Sequence, residues 1–348
     1  MRIGLIGAGN IGRLRANAIN RSNSCELAAV VDVDLQRATA VAKTSRGAAY
    51  TDYQTLLTSE SVDAVVVSTP PPLHEEIVVS ALENGVHVLC EKPLANTLSS
   101  ARRMVEAAAG TGNKLATGFN FRYIPSFRYL RKTLDSGAIG ELDHVRAIAG
   151  HVGLSEFKAE WEHDNNVVGG GALMDIGIHM IDLVRYTLGD VADVYGMATE
   201  NIWKLGGSED NGFALMRSPE GRAATLQASW SEWKGYKFQI EVYGNRGMVQ
   251  ASYGPMRNTL IYTDGHGRRQ KKTNQYRKIA VQEKLLGWQR TIEKSFQLEM
   301  DDFARYCQDG VCGGTLADGY AGFRAVEIAN AVYSSTESKR AVSLSEPF

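Results

Sequence analysis

The chain has 348 residues and is short of several things. It has only four cysteines, and of these only Cys307 and Cys312 are close together. Their spacing fits neither a zinc pair nor a redox pair, and no histidine follows. Reduced thiols in a cytoplasm are the natural reading. An excess of charge of one sign is also missing. The formal net charge is −1, so nothing general points to a nucleic acid or a membrane surface as partner. No apolar run approaches the length of a membrane span. The opening "MRIGLIGAG" is too short and glycine-punctuated for a signal peptide, and no processing site follows. What is present is an ordinary globular balance, 44% apolar and 22% charged. The length exceeds one typical core and predicts two domains.

"RIGLIGAGNIG", from Arg2 to Gly12, reads as a short strand followed by Gly7, Gly9 and Gly12 in G-x-G-x-x-G spacing. The spacing alone is weak, but its context is specific. A helix-compatible segment follows, and then the strand "ELAAVVDVD", which carries Asp32 twenty residues beyond Gly12. These are the parts of a dinucleotide site. Glycines let the backbone approach a pyrophosphate at a helix N-terminus, and an acid binds the ribose hydroxyls. The alternation continues with strands in "VDAVVVST", "VHVLCEKP" and "KLATGFNFRY", and helices in "PPPLHEEIVVSALENG" and "SSARRMVEAAAGTG". This predicts a doubly wound parallel sheet, whose ligands sit beyond the carboxyl ends of its strands. Thr69, Pro70, Glu91, Lys92, Asn120 and Arg122 lie at such ends. The expected cofactor-binding set is Gly7, Gly9, Asn10, Ile11, Gly12, Asp32, Ser68, Thr69, Pro70, His74, Glu91 and Lys92. Asp32 favours NAD over NADP, because a carboxylate accepts a 2′-hydroxyl and repels a 2′-phosphate. Arg37 leaves NADP open, although it reads as a residue of the following helix.

Past residue 120 the pattern changes. "FRYIPSFRYLRKTLDSG" predicts a helix joining the domains. Strands and hairpins then follow without intervening helices, which argues for antiparallel pairing. Thr315–Lys339 reads as a closing helix. "GRRQKKTNQYRK", from Gly267 to Lys278, reads as a solvated basic loop. The domains are therefore 1–120 and 121–348, with the last helix free to pack on either. Within the second, "GGGALMDIGIHMIDLV" sets Asp175, His179 and Asp182 in a run that is otherwise apolar. Offsets of four and seven return to one side of a helix. Such a helix is buried, and a buried carboxylate or imidazole needs a partner. Asp182 has Arg185 within reach as that partner. The glycines 169–171 would let a bulky ligand approach the helix start. A metal held by Asp, His and Asp lacks further ligands at matching spacing, and none is expected.

Gly7-x-Gly9-x-x-Gly12, "STPPPLH", "CEKPL", "GFNFRYIP" and "GGGALMDIGIHMIDL" occur in the order seen in the Gfo/Idh/MocA oxidoreductases, which this chain resembles over most of its length. The Glu-Lys-Pro lysine combined with D-x-x-x-H is far more specific than the glycine turn. The resemblance implies an α/β protein, a Rossmann domain followed by a C-terminal domain with a large, mostly antiparallel sheet. It implies NAD(P)-dependent oxidoreduction, with Lys92, Asp175 and His179 in the catalytic positions.

The chemistry fits those residue types. Oxidising a secondary alcohol removes a hydroxyl proton and a hydride. Histidine is the natural base, because its ordinary pKa lies near neutrality. Asp175 would orient His179 or hold the same hydroxyl, and the Lys92 charge would hold a developing alkoxide. Asn120, Arg122, Tyr123 and Trp161 are expected substrate contacts, with Trp161 suited to stacking on a sugar ring. The expected substrate is a sugar, sugar derivative or cyclitol. Two other functions remain open: an NAD-using glycoside-cleaving enzyme and a non-catalytic dinucleotide sensor. The open antiparallel sheet predicts a homodimer or homotetramer.

Overall fold

The computed structural model describes residues 1–157 and 159–345. It divides into two units, Met1–Tyr123 with Glu283–Phe323, and Ile124–Gln282 with Arg324–Phe348. The first crossing lies close to the expected boundary. The closing helix read over Thr315–Lys339 spans Gly319–Ser338, and the sequence pattern names no element over 283–314, which also returns to the first unit. That stretch holds a helix of 21 residues, Gln289–Asp309. Its Met300 and Phe303, together with Leu316, are buried in one cluster with Ile3, Leu5, Leu27 and Val66. Apolar burial therefore ties a late segment to the first strands of the chain.

The first unit carries six parallel strands in the order β3-β2-β1-β4-β5-β6. They are β1 (Arg2–Ile6), β2 (Glu26–Val31), β3 (Ala48–Tyr50), β4 (Ala64–Val67), β5 (His87–Cys90) and β6 (Leu115–Thr117). Every residue of β4, "AVVV", is buried, as expected for a strand covered on both faces. The order changes direction between β1 and β4, the switch point where such sheets bind ligands. Helix α1 (Asn10–Arg21) follows β1, and α2 (Leu35–Ala42) follows β2.

The second unit carries nine strands in the order β14-β13-β12-β11-β7-β10-β9-β8-β15. They are β7 (Leu142–Gly150), β8 (Asp193–Thr199), β9 (Asn211–Arg217), β10 (Ala223–Ser229), β11 (Lys237–Gly244), β12 (Gly247–Tyr253), β13 (Arg257–Thr263), β14 (Arg269–Asn274) and β15 (Val342–Ser343). All neighbours are antiparallel except β7 and β10. One face of the sheet packs against helices, including Ile178–Leu188 and Pro125–Asp135. In β9, buried and exposed residues alternate, as one covered face requires.

Three expectations need correction. The linking helix predicted over 121–137 starts only at Pro125, behind a short turn. Ile124 is held extended there, as the residue before a proline prefers. The basic segment 267–278 is not all loop. Half of it is the edge strand β14, where lysines and arginines discourage further strand pairing. Finally, Asn165–Leu188 is long and apolar enough to cross a membrane, with mean hydropathy 1.5. It is nevertheless mostly buried within the fold, as a core element.

Candidate active site

The glycine turn between β1 and α1 is built by close backbone approach. Gly7 has φ +98°, and a Cβ there would lie 2.6 Å from the Ser68 carbonyl oxygen. A Cβ on Gly12 would overlap the Gly7 carbonyl, whereas one on Gly9 would meet open space. Helix α2 is capped by the Asp34 side chain, but α1 begins behind Gly9 with no side-chain cap. Its first N–H groups therefore need another acceptor, which suits an anion. Asp32 directly follows β2 and steadies this turn: Oδ2 accepts from the Ala8 N–H at 2.9 Å and Oδ1 from the Asp34 N–H at 3.0 Å. Arg37 does lie on α2, and its guanidinium reaches Asp32 at 3.2 Å and Asp34 at 3.1 Å.

Beyond β4, the hydroxyl oxygens of Ser68 and Thr69 are buried with no hydrogen-bond partner among the described residues. Unsatisfied buried hydroxyls are rare enough to signal a ligand edge. Ile11, Val33, Leu35 and Leu73 are exposed apolar residues close behind β1, β2 and β4. Val33, Leu35 and Leu73 were not singled out from the sequence, although Val33 and Leu73 sit next to Asp32 and His74. Glycine turn, ribose-side carboxylate, orphaned hydroxyls and apolar rim together fit a dinucleotide.

Lys92 follows β5 and is half-buried, and the Lys92–Pro93 bond is cis. Its neighbours among the expected site residues have partners within the protein. Glu91 Oε1 accepts from Arg15 Nε at 2.6 Å, and Oε2 accepts from the Lys92 N–H at 3.2 Å. His74 is fully buried. Its Nε2 lies 2.8 Å from the Thr69 carbonyl oxygen and its Nδ1 3.1 Å from that of Leu94. Its ring joins two loops. Asn120 donates to Ser295 Oγ at 2.8 Å, Arg122 to the Leu316 carbonyl at 3.1 Å, and Tyr123 to Asp302 at 2.9 Å. All three are buried. They anchor the segment 289–316.

In the second unit the apolar helix begins as a π-turn, Leu173–Gly177, before the α-helix Ile178–Leu188. A π-turn holds an extra residue, so the stripe is not the regular one that 3.6 residues per turn would give. Asp175 Oδ2 accepts from Trp230 Nε1 at 3.0 Å and from His151 Nε2 at 3.1 Å. His151 Nδ1 accepts from the Gly153 N–H at 3.0 Å, so the His151 proton sits on Nε2 and points at Asp175. His179 is buried and meets Phe238 edge-on, ring centroids 6.5 Å apart. Asp182 is fully buried, and its charge acts on Arg185, whose guanidinium bonds to Asp190 at 3.1 Å. Trp161 is 42% exposed. Nothing in the sequence marks His151 or Trp230 as partners of Asp175.

The glycines before this helix serve packing. A Cβ on Gly170 would overlap the Tyr333 hydroxyl, and one on Gly171 the Glu209 backbone. Glu209 accepts from the N–H groups of Gly171 at 2.6 Å and Leu173 at 2.7 Å. Burial pushes its carboxyl up from 4.5 to about 7, against the pull of those N–H groups. A carboxyl raised in the folded state adds stability below its ordinary pKa and loses it as pH rises through about 7. Urea unfolding should therefore show wild type losing stability relative to Glu209→Gln between pH 4.5 and 7. The expected loss is on the order of 3 kcal/mol; parallel pH curves for the two proteins would contradict the shift.

Among the described residues no group of three or more His, Cys, Asp or Glu side chains could hold a metal ion. Residues 1–119 match the model of the oxidoreductase family with an NAD-binding Rossmann fold, and 127–250 match the GFO/IDH/MocA C-terminal domain. A myo-inositol 2-dehydrogenase of Thermotoga maritima is 32% identical over 77% of this chain and 80% of its own. A D-glucoside 3-dehydrogenase of Escherichia coli is 35% identical over 59% of each chain. The crystal structure of an oxidoreductase domain protein from Kribbella flavida superposes with TM-score 0.86 at 26% identity, covering 99% of both chains. The cradle behind β1 and the helix bearing Asp175 and His179 thus lie in the two matched domains, and the chain belongs to the Gfo/Idh/MocA family of NAD-binding oxidoreductases.

Proposed function

We propose that the protein is an NAD-dependent dehydrogenase acting on a secondary hydroxyl, or the matching ketone, of a sugar, sugar derivative or cyclitol. The observation that carries this reading is Asp175, held by His151 and Trp230 one helical turn before His179. Two fixed N–H donors keep the carboxylate an acceptor and aim it. His179 takes the hydroxyl proton as general base. Asp175 orients the reacting hydroxyl or the imidazole. The Lys92 ammonium stabilises the alkoxide as its charge develops. Bound NAD supplies the hydride acceptor. Gly7, Gly9, Gly12, Asp32, Ser68 and Thr69 hold it. Trp161 offers a flat apolar face for a sugar ring. The named inositol and glucoside dehydrogenases, whose substrates are polyols, support the substrate class. The free cysteines agree with a cytoplasmic location.

The test is a panel of sugars and cyclitols with NAD⁺ and NADP⁺, followed at the NADH absorbance. Net NADH formation is expected. Glycoside cleavage without net NADH would replace this reading with the glycosidase alternative, and dinucleotide binding without any turnover would favour the sensor. NAD should give the higher kcat/KM. Asp32→Ala should narrow that preference, because it removes the charge that repels a 2′-phosphate. Arg37→Ala should widen it, because Arg37 partly neutralises Asp32. An NADP preference in wild type would refute the assignment.

A homo-oligomer is part of the proposal. On the exposed side of β8 and β9, Tyr195 pairs with Leu215 and Met197 with Phe213, all 40–52% exposed. Such an apolar patch on an open sheet suits a second copy. Light scattering should report a dimer or tetramer, and Phe213→Glu combined with Leu215→Glu should shift it toward monomer. A wild-type monomer at micromolar concentration would refute this.

A further inference from the structure

Three consecutive polar residues, Ser208, Glu209 and Asp210, are all buried ahead of β9, each 4% exposed or less. Polar burial of this kind persists only where every group finds a partner. Ser208 Oγ donates to the His163 carbonyl at 2.7 Å. Glu209 grips the start of the Asp175 helix three times. Its carboxylate takes the N–H groups of Gly171 and Leu173, and its carbonyl accepts from the Ala172 N–H at 2.9 Å. Tyr333 donates to Glu209 Oε1 at 3.2 Å and holds the carboxylate in place. Asp210 reaches the same target by another route. Its carboxylate accepts from the N–H groups of Asn201, Ile202 and Trp203. Its carbonyl accepts from the Trp230 N–H at 2.7 Å, and the Trp230 indole donates to Asp175. One side of Asp175 is thus set through its own backbone and the other through its indole partner, and both paths end on adjacent residues.

We infer that Glu209 is a positioning residue for the reaction: with Tyr333 and the neighbouring Asp210 it fixes the π-turn that presents Asp175. This rests on the proposed role of Asp175 in alcohol oxidation. The physical reason is the helix start. The first turn of a helix has N–H groups without intrahelical acceptors and is its loosest part. Here that turn lies immediately before the working carboxylate. A carboxylate bridging two of those N–H groups stiffens it at the position where small displacements matter most. The glycines at 170 and 171 are required because the tyrosine hydroxyl and the Glu209 backbone occupy the space of a side chain.

Glu209→Gln keeps the shape but turns one acceptor into an N–H₂ donor facing a backbone N–H. Tyr333→Phe removes only the hydroxyl that holds the carboxylate. Hydrogen–deuterium exchange on the free protein should rise across 171–179 by about tenfold in Glu209→Gln and less in Tyr333→Phe. In turnover of the substrate that the panel identifies, kcat should fall by between about ten- and a hundredfold in Glu209→Gln. KM for NAD should hold, because the dinucleotide cradle lies in the other unit. Glu209→Ala, which has no acceptor at all, should fall further, so that Gln counts as a partial rescue. Faster exchange with unchanged kcat would make the contact merely structural and overturn the inference. So would unchanged exchange in both variants. Exchange is read on the protein alone, so its failure to rise overturns this inference whatever the turnover of the wild type says about the functional reading.

Discussion

Lys92→Ala is expected to lower kcat by about 10²–10³-fold, the usual cost of removing one group that stabilises charge only in the transition state. The lysine follows a buried strand, and its backbone N–H is bound by Glu91, which is itself gripped by Arg15. The turn is therefore anchored, and the substitution should remove a charge without unfolding it. KM for NAD should change little, because the glycine turn and Asp32 are untouched. Lys92→Arg should recover only part of the loss. It keeps the charge, but a planar guanidinium cannot take the place of a compact ammonium. Steady-state kinetics with the substrate found in the panel decides it. Turnover near wild type in Lys92→Ala would remove this residue from the mechanism.

His179→Ala should cost about 10²–10⁴-fold in kcat, as expected for loss of a general base. Fluorescence titration with NADH should find dinucleotide affinity nearly intact. The ring packs against Phe238, so truncation also opens a small void, and a thermal melt must show that the variant is folded at the assay temperature. The two losses should not add. If Lys92, Asp175 and His179 act together, the Lys92→Ala, His179→Ala double variant loses little beyond the worse single one. Full additivity would mean that they work in separate steps. Turnover near wild type in His179→Ala would make its place on the helix purely structural.

The sequence by itself determined the features that depend on near neighbours. The G-x-G-x-x-G turn, the acid after the second strand, the lysine in Glu-Lys-Pro and the D-x-x-x-H spacing are local patterns. They are legible from near neighbours alone, although the π-turn at Leu173–Gly177 moves the D-x-x-x-H pair off the regular helix period. Which polar groups are satisfied internally was decided only by tertiary structure. Asp175 meets His151 across 24 residues and Trp230 across 55, and Glu209 meets Gly171 across 38. No period links such positions. Asn120, Arg122 and Tyr123 lie at a strand end like substrate ligands, yet a helix more than 160 residues later supplies partners for Asn120 and Tyr123. A polar residue at a sheet edge has the same local sequence whether its partner is a ligand or another part of the chain. The segment that packs there makes the difference, and hydrophobic burial of Met300, Phe303 and Leu316 brings that segment back.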